Sequence, residues 1–119
     1  MREIEFRVYD PKRKRMFSPN AIELDGRAMA VEIMNGEIHE YYMGWHIMQF
    51  TGLKDKDGIK IYEDDIIEGK KPCRNSYRKG VVTYRPMMFE IVCGREKIKR
   101  LYNMKVIGNI HQNPELLKQ

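Results

Sequence analysis

The sequence predicts an all-β fold, a barrel or a strongly bent sheet joined by short irregular or helical turns. Short stretches alternate apolar and polar side chains with the period of two expected of half-buried strands. Clusters of Gly, Pro, Asn and Asp punctuate the chain at short intervals. Many short strands separated by such turns build barrels and curled sheets rather than layered α/β folds.

Each element follows from its own residues. Ile4, Phe6 and Val8 alternate with Glu3, Glu5 and Arg7, predicting a first strand. Asp10-Pro11 opens a turn carrying Lys12, Arg13, Lys14 and Arg15; Met16-Phe17 begins the return, which Ser18-Pro19-Asn20 breaks. Ile22 and Leu24 form a short run ended by Asp25-Gly26. The clearest hairpin joins residues 29–34 to residues 37–42 across Asn35-Gly36, a pair that favours a type I′ turn, with Val31, Ile33, Ile38 and Tyr42 as inward positions. Residues 45–50, from Trp45 to Phe50, read as a strand or as one helical turn. Lys54 to Gly58 is a polar turn, Ile59 to Tyr62 a strand, and Glu63-Asp64-Asp65 an acidic turn before Ile66-Ile67. A basic loop from Gly69 to Gly80 precedes the strands 81–84 and 87–93. Glu96 to Met104 has helix-like spacing through Ile98, Leu101 and Tyr102, and reads equally as a strand. Val106 to Ile110 is strand-like, and Asn113-Pro114-Glu115-Leu116-Leu117 an N-capped turn.

At 119 residues, 42% hydrophobic and 33% charged, the chain has room for one domain, spanning residues 1–119, with one core. No run approaches the roughly 20 apolar residues of a membrane helix, and the opening residues Met1 to Phe6 lack a signal-peptide core. We therefore expect a cytoplasmic protein with no membrane role. Cys73 and Cys93, the two cysteines, have no zinc-ligand spacing and are expected as reduced, partly buried thiols.

The motifs that invite chemistry have plainer readings. Asp55-x-Asp57-Gly58 resembles part of a calcium loop, but aligning Gly58 with its turn glycine puts Leu53 at the first ligand and Asp64 at the bidentate one, so a hairpin turn is favoured. Glu63-Asp64-Asp65 reads as a solvated turn before it reads as a magnesium site, because three adjacent acids point in different directions. Ser18, Ser76, Cys73 and Cys93 have no nucleophile motif around them, and His39, His46 and His111 are scattered. No phosphate-loop or dinucleotide fingerprint is present. No cofactor, metal, small-molecule substrate or catalytic residue is implied. Nine methionines read mainly as filler for a sheet that bends sharply.

The formal net charge of +5 is concentrated in three basic clusters. They are Lys12 to Arg15; Lys70, Lys71, Arg74, Arg78 and Lys79, with Tyr77 among them; and Arg95, Lys97, Lys99 and Arg100, beside Tyr102. Cationic loops with neighbouring aromatics suit nucleic acid, with Lys70, Lys71, Arg74, Lys79, Arg95 and Lys97 as the phosphate contacts. The plainer reading, and the favoured one, is that these charges keep a β-protein soluble and guard its sheet edges.

Three separated stretches carry a resemblance. They are Arg2-Glu3-Ile4-Glu5-Phe6-Arg7; Phe50 to Gly58 continued by Ile61-Tyr62-Glu63-Asp64-Asp65-Ile66; and Val106-Ile107-Gly108-Asn109-Ile110 with Asn113 to Leu117. In this order they resemble the YopX family of bacteriophage and prophage proteins. The resemblance implies an all-β protein with a central barrel and no assigned activity, so it supplies no catalytic or binding residues. One departure is visible: the family pattern reads Tyr-Glu-Gly-Asp where this chain has Tyr62-Glu63-Asp64-Asp65. Glycine there suits a turn with positive φ, which Asp tolerates less well than Gly but better than most residues. The expected role is that of a non-enzymatic accessory protein acting through protein contacts, by self-association or by binding a host factor, with nucleic-acid binding as the alternative.

Overall fold

The structure, a computed structural model, describes residues 5–19, 21–23, 29–34, 36–41, 46–71, 76–85, 88–93, 96–98 and 101–117. The chain is mainly β, as the sequence predicts, and its described strands form three antiparallel sheets of four, five and three strands. It divides into two compact units, one over Glu5–Gln49 and one built chiefly from Phe50–Gln119.

In the first unit, β1 (Phe6–Asp10) pairs antiparallel with β2 (Arg15–Phe17) and with the start of β6 (His46–Lys54). Val8 lies opposite both Phe17 and Ile47, and Val8, Phe17 and Met48 are buried. The alternation predicted for β1 fails at its end, where Val8, Tyr9 and Asp10 are all buried. The Asp10 carboxylate explains its own burial: Oδ1 accepts the Lys12 N–H at 2.9 Å, closing the turn, and Arg13 Nε lies 3.9 Å from Oδ2. Residues 46–50 are strand, which decides the predicted choice between strand and helical turn.

The predicted hairpin forms with nearly the predicted limits. β4 (Met29–Met34) and β5 (Glu37–Tyr41) pair with Ile33 opposite Ile38, and β3 (Ala21–Glu23) joins the other side of β4. Gly36 has φ +81°, as a tight two-residue turn demands. The inward positions predicted here concern side chains outside the described residues.

In the second unit, the remainder of β6 turns back through residues 55–59 into β7 (Lys60–Tyr62), with Lys54 opposite Lys60. A five-stranded antiparallel sheet follows in the order β11-β10-β9-β8-β12, made of β8 (Asp65–Lys70), β9 (Tyr77–Arg85), β10 (Met88–Cys93), β11 (Glu96–Ile98) and β12 (Tyr102–Asn109). A 3-10 turn, Pro114–Leu117, follows β12. Two corrections emerge. The predicted basic loop, Gly69 to Gly80, is strand at both ends, since β8 runs on to Lys70 and β9 begins at Tyr77. Its alternation was hidden by Gly69 and Gly80, which stand where apolar inward residues would otherwise mark a strand. The helix-like spacing of residues 96–104 divides between β11 and β12, with Ile98 paired to Ile91.

One face of this sheet packs into the core: its Ile67, Val82, Ile91 and Cys93 cluster with Ile61 of β7 and Leu101 just before β12, with Phe89, Met104 and Val106 packed against them. Burying each large aliphatic side chain contributes roughly 1.5–3 kcal/mol before entropy is set against it. Gly80 is needed for close packing: a Cβ there would lie 2.5 Å from Ile91 Cγ2 and 2.7 Å from Cys93 Sγ. Cys93 is a buried thiol, as expected, and Cys73 lies outside the described residues.

β12 stands at the edge of the sheet, where exposed N–H and C=O groups invite pairing with another chain. The β6–β7 turn occupies that edge. Lys56 N–H donates to the Met104 carbonyl at 2.9 Å, and Val106 N–H donates to Asp55 Oδ2 at 2.9 Å.

Candidate functional site

The five-stranded sheet presents two chemically different faces. Along β8, Ile67 and Gly69 are buried while Glu68 and Lys70 are half-buried, so the latter two point to the outer face. Register then builds rows across the strands. Tyr77 and Tyr102 lie opposite Lys70 on its two sides, and Lys79 and Lys105 lie opposite Glu68. Directly opposed residues project from the same face. Tyr77 is 58% exposed and Tyr102 47% exposed, so both rings face solvent. Lys70 Nζ lies 5.6 Å from the centre of the Tyr77 ring, a cation–π arrangement.

A bulge makes the second row possible. From Tyr102 to Lys105 β12 uses three steps where β8 uses two, and Asn103 absorbs the extra residue with φ +51°. Both Tyr102 and Lys105 therefore reach the outer face despite their odd spacing. Sequence reasoning missed Lys105 for this reason. Of the phosphate contacts it named, Lys70 and Lys79 come together here and Lys71 follows directly on β8. Lys97 is exposed on β11, opposite Val92, two strands from β9. Arg74 and Arg95 lie outside the described residues.

The inner face holds an apolar groove of about 330 Å³. Its walls are Ile61, Ile67, Val82, Phe89, Ile91 and Met104. Leu53, Lys54 and Glu90 border it, and Leu53 is 58% exposed. The volume falls at the lower end of the range usual for ligand sites, roughly 300–1,000 Å³. No pattern along the sequence announced it, because its walls come from strands far apart in the chain.

The acidic motifs serve the turns. Asp55 is buried; its Oδ1 accepts the N–H groups of Asp57 and Ile59 and its Oδ2 that of Val106. Burial pushes this carboxyl up, but those N–H donors, with the charge of Lys105, outweigh it and hold its pKa below the ordinary carboxylate value. Asp65, 1% exposed, accepts the Tyr62 N–H at 2.8 Å. Asp64 has φ +68°, the conformation for which the family pattern carries glycine. Its carboxylate meets His111 Nε2 at 2.8 Å, while its N–H and C=O bond to Val82 and Ile110. Asn109 is buried, and its Oδ1 accepts the N–H groups of His111 and Gln112. Ser18, Ser76 and His46 are exposed, and the side chain of His39 lies outside those described. Among the described residues, no three His, Cys, Asp or Glu side chains gather as a metal site, and no helix is long and apolar enough to cross a membrane.

Strands, bulges and buried turn-forming acids define a mainly β protein with one curled, two-faced sheet. The model of the YopX protein family matches residues 5–118, and the chain belongs to that family. No curated protein matches it. Solved structures share the fold, two of them as follows. Protein EF1440 from Enterococcus faecalis is 24% identical, with 99% of this chain and 100% of that chain covered and a TM-score of 0.67. Protein YopX from Bacillus subtilis is 19% identical, with the same coverage and a TM-score of 0.70.

Proposed function

We propose that this chain is a non-enzymatic accessory protein of a phage or prophage, working in the host cytoplasm by gripping an apolar segment of another protein in the inner-face groove. The observation that carries this reading is the groove itself, about 330 Å³ of space walled by aliphatic and aromatic side chains, with Leu53 exposed at its border. The walls belong to the buried core, so what the groove offers is a small apolar recess, with the exposed Leu53 at its border, of a size to take one apolar anchor. Lys54 and Glu90 at the rim suit a partner whose bulky apolar anchor is flanked by charges of both signs. The non-enzymatic part draws support from the acids, since Asp10, Asp55 and Asp65 are occupied by backbone N–H groups.

The test is a selection of displayed peptides on the protein, followed by titration of the selected peptides against Leu53→Asp. Because Leu53 is largely exposed, the substitution spares the core. Selected peptides should share a bulky apolar residue and lose at least about tenfold in affinity, the size expected for an anchor contact. Peptides that bind the variant as well as the parent would rule out the groove. If the partner is a second copy, sedimentation should show a dimer that Leu53→Asp dissociates.

A further inference from the structure

We infer that the outer face of β8, β9 and β12 is a binding strip for single-stranded nucleic acid, with Tyr77 and Tyr102 as base-stacking platforms and Lys70, Lys79 and Lys105 as phosphate contacts. This site lies on the opposite face of the sheet from the groove and stands independently of it.

The argument begins with exposure. Two tyrosine rings are about half exposed, in one row, with a lysine between them. A ring this exposed keeps apolar area in water, and a flat π-system stacked on its open side covers that area. Lys70 stands at the centre of the row, its ammonium over the Tyr77 ring, where it meets the backbone between two stacked bases. The next row brings Lys79 and Lys105 to either side of Glu68, both exposed. Lys70, Lys79 and Lys105 outnumber the nearby carboxylates, Glu68 in the row and Asp55 beside Lys105, and leave the strip positive.

Spacing selects the form of the ligand. Tyr77 and Tyr102 sit two strand spacings apart, about 10 Å. That is roughly three times the ~3.4 Å rise between stacked nucleotides of one strand. Bases held by the two rings are therefore not stacking neighbours, and the strand must be extended and unstacked between them. A duplex, whose base faces are already covered, meets none of these conditions. Stacking of this kind selects no particular base, because every base has a π-face.

Stacking and charge separate cleanly by experiment. Fluorescein-labelled oligothymidylate and oligouridylate of about fifteen nucleotides are titrated by anisotropy, with a duplex of equal length and heparin as comparison ligands. Three phosphate contacts give a slope of log K against log salt of about −2 for single strands. Lys79→Ala and Lys105→Ala should each make that slope shallower by about 0.7. Tyr77→Ala and Tyr102→Ala should leave the slope unchanged and each weaken binding about tenfold, whereas Tyr77→Phe and Tyr102→Phe should bind as the parent does. Both rings are exposed, so all these variants should fold, which circular dichroism verifies. The inference is overturned by absence of binding to both oligonucleotides at about 50 mM salt. It is equally overturned by parent-like affinity of the two Tyr→Ala variants, or by heparin or duplex binding as tightly as the single strands. Leu53→Asp should leave this binding intact, so failure here and failure of the groove are told apart.

Discussion

The carboxylate of Asp55 accepts the backbone N–H of Val106 at 2.9 Å, across 51 residues of chain. The same side chain closes its own turn through Asp57 and Ile59. One residue thus joins the β6–β7 hairpin to the edge of the five-stranded sheet. Replacing it by alanine takes the acceptor from the half-buried Val106 N–H and from the Asp57 and Ile59 N–H groups together, and we expect Asp55→Ala to cost about 3 kcal/mol. Urea denaturation should report a lower midpoint at unchanged slope.

The same carboxylate has a pH signature. Its pKa in the folded protein lies below the ordinary value, and the unfolded value is about 3.9. Its stabilisation is therefore complete above the unfolded value and is lost as pH falls through the folded one. Urea midpoints followed from about pH 7 to about pH 2 should fall in the parent. Asp55→Asn should remove part of that fall while lowering the midpoint at neutral pH.

Asp64 tests backbone against side chain. It occupies φ +68° and meets His111. Asp64→Gly relieves the backbone but loses the His111 contact and adds freedom to the unfolded chain, so we expect a net change within about 0.5 kcal/mol. Asp64→Val loses the contact and places a β-branched residue at positive φ, costing about 2 kcal/mol. Thermal unfolding should rank parent and glycine variant together and valine well below.

Gly80 leaves no space for a side chain. Gly80→Ala drives a methyl group against Ile91 and Cys93, and overpacking of this kind costs about 1–3 kcal/mol. Trimming one neighbour should restore part of the loss, so Gly80→Ala with Ile91→Val should unfold at a higher denaturant concentration than Gly80→Ala alone.

Asn109 holds the turn that follows β12, its side-chain oxygen taking the N–H groups of His111 and Gln112 and its amide donating to Gln112 Oε1 at 2.8 Å. Asn109→Ala should cost about 2 kcal/mol. Amide exchange at His111 and Gln112 should accelerate more than exchange in β9.

Local chemistry was readable from the sequence, and distant pairing was not. Asn35-Gly36 announced its hairpin, and Asp55 to Gly58 announced a turn, because the reason for each lies within a few neighbouring residues. The partnership of Asp55 with Val106 and that of Asp64 with His111 are invisible along the chain, since register across the sheet decides them. The outer face was half legible. Tyr77, Lys70 and Lys79 lie close in sequence and were singled out. Lys105 was missed because the bulge at Asn103 shifts the alternation that places it beside them. The groove was not legible at all, for concavity arises from curvature, and no residue pattern records how far a sheet curls.

The two hydrogen bonds that tie β12 to the β6–β7 turn, one from the Lys56 N–H and one to the Asp55 carboxylate, bear on how copies of this protein behave when crowded. A would-be fibril grows by adding strands to an unprotected flank, and on this side a hairpin from the same molecule has taken the position first. Loosening that hairpin would do more than weaken its own turn: it would uncover a template on which further strands could be laid.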